Sequence, residues 1–157
     1  MDATAAASTH QPAALVGRRL LSLLYDLLPV MALWFLAAVP FVLLDVAVSG
    51  DVRHNIGPFS LLQWLLWLVC WIVTGLYATV SWRRGGQTLG MRPWRLRVVA
   101  SNGGAPTRGA LWGRYAVGTL SLLVAGLGFW WAWVDRGRLT WHDRASGTRI
   151  VRMPKRD

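Results

Sequence analysis

Asp26 is an acid inside an apolar stretch that begins shortly after Arg19. Seven positions apart, the two side chains share one stripe of a helix but lie about 10 Å apart along its axis, beyond direct contact. If Arg19 lies at the membrane interface, Asp26 lies about 10 Å inside the hydrocarbon, where a carboxylate is costly unless paired or protonated. We therefore predict that Asp26 either binds a cation or a proton, as in transporters, or is a structural partner for Arg114 or Arg108.

A second acid, Asp143, lies near the end of the chain in "WHDRASGT", residues 141–148. If this tail folds back to the inner surface, Asp143 can form an ion pair with Arg19 and hold the tail against the first helix. The alternative is a solvated aspartate that caps a turn. No further histidine lies near His142 in sequence, so we predict no metal site. "GGQTLG" at 85–90 lacks the Lys-Ser/Thr of a phosphate loop and no nucleophile–base pair is evident, so we expect no cofactor and no enzymatic activity.

Two apolar stretches are long enough to cross a membrane. Residues 59–82 carry no charge over 24 positions, which is about 36 Å of helix against roughly 30 Å of hydrocarbon. The stretch 20–48 is longer than one untilted span and contains a spanning part at about 20–45. Its ends therefore lie in the interface, or it breaks near Pro29 or Pro40. We expect this first span to be retained, because the run is too long for a cleaved signal peptide.

The third apolar segment, about 110–134, leaves two alternatives. The loop 83–108 carries six arginines and residues 135–157 carry seven basic groups. The positive-inside tendency puts both in the cytoplasm, together with the N-terminus. A full third span would place the tail outside, whereas a re-entrant hairpin that starts near Arg114 and turns at Gly126–Gly128 returns it to the same side. We favour the hairpin.

Two short basic segments, 95–101 and 148–153, alternate β-branched and polar residues and are bounded by turn signals. On one side of the membrane they can pair; irregular loops are the alternative. The patterns together predict an all-α membrane protein with two transmembrane helices, a third apolar segment and a small cytoplasmic two-stranded β element. The membrane domain covers 15–152, between a disordered tail, 1–14, and a basic tail, 153–157.

Three motifs in this order carry a resemblance to a known family. "RLLSLLYD" contains Arg19 and Asp26, "GQTLGMRPWRLRVVASNGGAPT" occupies residues 86–107, and "HDRASGTRIV" contains Asp143. Together they resemble the RDD family of small bacterial membrane proteins, which is named for one arginine and two aspartates. The resemblance extends over about residues 13–152.

The resemblance implies that Arg19, Asp26 and Asp143 are the family's three charged residues and that the protein is a multi-pass protein of the bacterial inner membrane. The family has no settled biochemical activity, and transport is the usual suggestion. This sequence departs from many relatives at Arg92–Pro93, where they have a basic residue and no proline. The resemblance therefore does not predict the backbone conformation at that dipeptide.

The overall charge is strongly basic, with 17 lysine and arginine residues against 7 acids and a net charge of +10. In a soluble protein this would favour nucleic acid, but the apolar spans indicate the bilayer, including anionic lipids, and no nucleic-acid partner. We expect a transporter or an ion-coupled transport component that works as a homo-oligomer, because two spans and a hairpin do not easily enclose a pathway. The alternative is a non-catalytic membrane adaptor whose Arg-rich cytoplasmic face binds anionic lipid or a partner protein.

Overall fold

The computed structural model describes residues 15–52 and 55–154. The predicted disordered tail, 1–14, lies outside the described residues, as do 155–157 of the predicted basic tail. The elements in chain order are α1 Val16–Ser49, α2 Leu61–Gly85, β1 Leu96–Ala100, α3 Arg108–Leu123, α4 Leu127–Val134, α5 Trp141–Ser146 and β2 Thr148–Arg152.

The helices α1 and α2 are both long and apolar enough to cross a membrane. The most apolar 18-residue stretches of α1 and α2 have mean hydropathies of 2.5 and 1.7. Most of the large apolar side chains on these helices are exposed, as at Leu28 and Phe35. Exposed apolar surface on this scale matches a lipid environment. The helix α1 continues through Pro29 and Pro40, so the predicted break does not occur. Neighbouring helices make such prolines tolerable within the membrane.

One stripe of α1 faces the rest of the protein. Its buried residues recur every three or four positions, the spacing of one helical face: Val16, Arg19, Ser22, Asp26 and Val30. Further along the helix, the indole Nε1 of Trp34 donates to Thr74 Oγ1 on α2 over 2.8 Å. This stripe therefore presents both Arg19 and Asp26 to the other elements.

The helices α3 and α4 form the third apolar segment, and they are bent by 99° relative to each other. Residues 124–126 make the turn, with positive φ at Ala125 and Gly126, slightly earlier than the predicted Gly126–Gly128. After α4 the chain returns to pack α5 against α3 and to contact Arg19 at the start of α1. Both ends of the segment thus lie near one end of the α1–α2 pair, as expected for the re-entrant alternative; the bend by itself fits a broken span as well.

The two predicted strands are present and pair in an antiparallel sheet. The register runs from Leu96 opposite Arg152 to Ala100 opposite Thr148. Beneath the sheet lies a small apolar core that includes Met91, Leu96, Val98 and Leu111. Because β1 follows α2 and β2 follows α5, the sheet holds the C-terminal segment at the same end of the molecule as the start of α1.

Candidate functional site

The first part of the site is a buried ion cluster around Asp143. Arg19 Nη1 donates to Asp143 Oδ2 and Arg114 Nη1 donates to Asp143 Oδ1, each over 2.5 Å. The same two guanidinium nitrogens also donate to hydroxyls, that of Arg19 to Thr140 Oγ1 over 3.2 Å and that of Arg114 to Thr148 Oγ1 over 2.8 Å. The predicted contact between Arg19 and Asp143 is therefore present, and it joins the start of α1 to the C-terminal segment.

The local sequence of α5 positions the Asp143 carboxylate. Thr140 precedes the helix and its hydroxyl accepts from the backbone N–H of Asp143, while Asp143 Oδ2 accepts from the backbone N–H of Thr140. This is a capping box, in which two helix-terminal donors are satisfied reciprocally. Asp143 therefore caps the turn and also pairs with Arg19. It is 1% exposed, so the alternative of a solvated aspartate is wrong.

The electrostatics keep Asp143 ionised. Burial alone would raise the pKa of its carboxyl, but the adjacent guanidiniums of Arg114 and Arg19 outweigh burial and hold the pKa below its ordinary range. Desolvation and the charge of Arg114 lower the pKa of the neighbouring His142 to about 3, so this imidazole is neutral at physiological pH. The cluster thus contains two cations and one anion, with all three charged side chains at most 3% exposed.

The second part of the site is a neutral hydrogen-bond shell around Asp26. The hydroxyl of Tyr77 donates to Asp26 Oδ1 over 2.6 Å, and the backbone N–H of Gly90 donates to the same oxygen over 2.8 Å. The hydroxyl of Thr88 donates to Oδ2 over 2.5 Å. Tyr77 is itself held in place because it accepts from the backbone N–H of Leu89 over 3.1 Å. The carboxylate is buried, with 8% of the residue exposed.

The loop after α2 reaches this carboxylate because it has a glycine at the point of contact. A Cβ on Gly90 would lie 2.1 Å from the backbone oxygen of Ser22 and 2.8 Å from the carboxyl carbon of Asp26, so any larger residue would push the loop away from α1. Gly90 therefore permits the close approach in which its own N–H donates to Asp26.

Of the two alternatives for Asp26, the pairing with Arg114 or Arg108 does not occur within the described residues. Arg114 is committed to Asp143, beside Arg19, and that cluster lies about two helical turns along α1 from Asp26. Within residues 15–52 and 55–154, no arginine forms an ion pair with Asp26. The donors that replace the expected arginine are the uncharged groups of Tyr77, Thr88 and Gly90.

Sequence reasoning missed several residues of the site. Thr88 and Gly90 lie in the "GQTLG" segment that carries the family resemblance, and Thr140 stands three positions before an acid, which is a capping-box spacing. Those signals were available. Tyr77 lies in the middle of an apolar helix, and no local pattern distinguishes it from a packing residue.

Histidine, cysteine and acidic side chains, the usual ligands of transition metals, do not cluster among the described residues. Among the residues that the structure describes, no three histidine, cysteine, aspartate or glutamate side chains come together at ligating distance. His142 packs its ring 4.7 Å from that of Phe129, and Cys70 is a free thiol within α2.

Comparison with known proteins places these features in a family. The model of the RDD family matches residues 13–147, a range that contains all three motif residues, Arg19, Asp26 and Asp143. No curated protein and no solved structure is similar enough to count as a match. RDD proteins are small membrane proteins, in agreement with the two apolar helices. The chain belongs to the RDD family.

Proposed function

We propose that this protein is a component of an ion-coupled membrane transporter in which Asp26 takes up and releases the transported or coupling ion. The observation that carries the proposal is the composition of its shell. A buried carboxylate on a membrane helix is held by three uncharged donors, and none of the described arginines neutralises it. Ionisable residues inside the membrane commonly mark ion pathways and proton relays in pumps and transporters.

The shell around Asp26 suits either a proton or a small hard cation. A hydroxyl can accept as well as donate, so Thr88 can pair with the carboxylate or receive a hydrogen bond from the protonated acid without backbone movement. A hard cation prefers oxygen ligands, and the carboxylate, Tyr77 and Thr88 supply them in one place. Neither event requires an existing ion pair to break.

We propose that the working unit is a homo-oligomer. One chain provides two spanning helices and a bent pair, which are too few to surround a pathway. Large apolar side chains remain exposed along α1 and α2, including Trp64 and Trp67, and copies of the chain can bury part of this surface against one another. Cross-linking in native membranes, followed by mass measurement of the purified complex, tests this part of the proposal; a strictly monomeric protein contradicts it.

We place the sheet, the loop 83–108 and the start of α1 in the cytoplasm of a bacterial cell, with α1 and α2 in the inner membrane. The support is the concentration of arginine at this end of the molecule. With Cys70 replaced, single cysteines at Ala105 and Ala145 should react only from the cytoplasm, and one at Val52 only from outside. Labelling of positions 105 and 145 from opposite sides would contradict this topology.

The test of transport is ion flux in proteoliposomes. Wild-type protein should dissipate a proton or sodium gradient, and Asp26→Asn should abolish that flux because the amide neither titrates nor carries the charge that a cation needs. The matched control is Asp51→Asn, which removes an exposed acid between the spans and should leave the flux unchanged. A variant Asp26→Asn with full flux would contradict the assigned role.

A second candidate is a non-catalytic adaptor that is held at the membrane by its Arg-rich end. The observation in its favour is that many arginines of this end, among them Arg83 and Arg84, are exposed, and each basic residue near anionic lipid contributes about 1 kcal/mol of attraction. Such attraction is diffuse and independent of Asp26. Absence of flux in the wild-type protein, with normal membrane insertion, would favour this candidate.

A further inference from the structure

A half-open groove lies between β2, the loop before α5 and the start of α1, beside the Asp143 cluster. It has a volume of about 950 Å³ and opens next to β2 and the loop before α5. Five arginines line it, against one aspartate: Arg19, Arg138, Arg144, Arg149 and Arg152. That aspartate is Asp143, which Arg19 and Arg114 already neutralise. The lining of the groove is therefore strongly positive.

Much of this positive charge has no partner within the described part of the chain. Arg144 pairs with Asp135 over 2.5 Å, and Arg138 donates to the backbone oxygen of Trp133 over 2.9 Å. Arg149 and Arg152 make no ion pair with any described residue. Desolvation, together with the nearby positive charges of Arg18 and Arg95, lowers the pKa of Arg152, a sign of like charges crowded at one rim.

The inner wall of the groove contains a buried donor that is not satisfied. Arg19 is 2% exposed, and although its Nη1 contacts Asp143, its Nε finds no partner among the described residues. A buried guanidinium nitrogen without an acceptor is costly. Because the Asp143 cluster has one cation in excess, an anion in the groove would both supply an acceptor and compensate the charge.

We propose that this groove binds the phosphate group of an anionic ligand. Arginine binds phosphate through paired N–H donors, and Arg149 and Arg152, which line the groove, form no ion pair within the described part of the chain. Apolar residues line the groove as well, including Leu15, Leu139 and Ile150, which accommodate the glycerol or the first part of an acyl chain. The shared chemistry is a phosphate ester; its source is a lipid headgroup or a soluble phosphate. The site is independent of the ion that Asp26 takes up.

The test compares two pairs of arginine substitutions in protein purified in a neutral detergent. The groove variant is Arg149→Gln with Arg152→Gln. The control variant is Arg83→Gln with Arg84→Gln, which removes the same charge from exposed positions at the end of α2, outside the groove. The probes are short-chain phosphatidylglycerol, glycerol phosphate and, as an uncharged amphiphile, short-chain diacylglycerol. Binding is measured by titration calorimetry and by native mass spectrometry.

The groove variant should bind the phosphate probes at least about tenfold more weakly than the wild type, since each charged hydrogen bond contributes more than a neutral one. The control variant should keep the wild-type affinity. Binding of phosphatidylglycerol alone identifies a lipid headgroup as the source, and equal binding of glycerol phosphate identifies a soluble ester; either supports the proposal.

Three outcomes overturn the proposal. They are equal weakening in both variants, which indicates a diffuse basic surface; unchanged binding in the groove variant; and equal binding of diacylglycerol. If the groove variant does not fold, Arg138→Gln with Arg149→Gln replaces it, because both side chains are exposed.

Discussion

The two acids of the motif, Asp26 and Asp143, are the same residue type in opposite electrostatic settings. Asp143 lies between two guanidiniums at 2.5 Å, whereas the described donors to Asp26 are two hydroxyls and a backbone N–H. Both are buried, and each carboxylate accepts three hydrogen bonds. What differs is the charge of the donors: protonation of Asp143 would leave two buried cations without an anion, whereas Asp26 has no cation among its described partners.

The two aspartates also differ in the elements that they connect. The Asp143 cluster joins α1, α3 and α5, so its ionic contacts hold together elements that are distant in the sequence. The Asp26 shell joins α1 to α2 and its following loop through neutral groups. Removing the charge of Asp143 should therefore affect mainly assembly, while removing the charge of Asp26 should affect mainly activity. The following predictions test that division.

The largest effect is expected for Asp143→Asn. The substitution leaves Arg19 and Arg114 buried side by side without an anion, a change that costs about 3–5 kcal/mol when one partner of a buried pair is lost. Thermal unfolding in mild detergent should show a large loss of stability or a failure to assemble. As a control, Asp135→Asn removes an acid whose arginine partner is 60% exposed on its side chain and should cost much less. Equal losses would contradict the assigned role of the cluster.

A smaller loss is expected for Arg19→Gln. The cluster has two cations for one anion, so Asp143 keeps a partner in Arg114, and the cost is that of lost hydrogen bonds, about 1–3 kcal/mol. The double variant with Asp143→Asn should be more stable than the sum of the single losses, because removal of Arg19 takes away one of the two unpaired charges. A coupling below about 0.5 kcal/mol in the double-mutant cycle would show that the two residues do not interact.

The lowered pKa of His142, next to Asp143, predicts that the stability of the protein depends on pH. The pKa of this imidazole falls from 6.5 to about 3 on folding, so the unfolded chain binds a proton at pH values where the folded protein does not. Its contribution to stability is complete above about pH 6.5 and is lost as pH falls towards 3, by at most about 1.4 kcal/mol per unit. The melting temperature of wild-type protein should fall more steeply between pH 6.5 and 4.5 than that of His142→Gln; parallel curves would contradict this.

The smallest change in stability is expected for Asp26→Asn. An amide oxygen can still accept from Tyr77 and Gly90, and its NH₂ group can donate to the hydroxyl of Thr88, so all three contacts persist. The stability should change by less than about 1 kcal/mol. A loss as large as that of Asp143→Asn, measured by the same thermal unfolding, would mean that Asp26 is also a structural ion.

Much of this fold could be predicted because membranes impose length and polarity on each segment. The uncharged run in 59–82 specifies a span without reference to any other part of the chain, and α2 occupies Leu61–Gly85. The charge distribution around 110–134 indicated a bent segment, since a full span would have separated the basic regions. The strands were visible as short alternating segments, although their pairing depended on that topology.

The partners of Asp26 could not be predicted in the same way. An arginine counter-ion was one of the two alternatives for Asp26, because a charge in hydrocarbon needs compensation. Two arginines converge on Asp143 instead, and local sequence spacing does not show which acid an arginine reaches in the folded chain. Tyr77 is 51 positions from Asp26 in the sequence, and its hydroxyl can donate to the carboxylate because α2 packs beside α1. The turn at Gly90 comes close enough to donate to Asp26 because glycine has no Cβ that would clash with α1. A sequence motif does not show which neighbouring helix the glycine approaches.

The ion pair between Arg19 and Asp143 joins residues 124 positions apart, and this imposes an order on biogenesis. The ribosome completes both spanning helices before it synthesises the carboxylate, so α1 and α2 enter the bilayer while Arg19 still lacks its acid. The hairpin and the sheet can close only when the last part of the chain has emerged. The contact that closes the C-terminal segment on α1 therefore forms last, after both long helices have been synthesised.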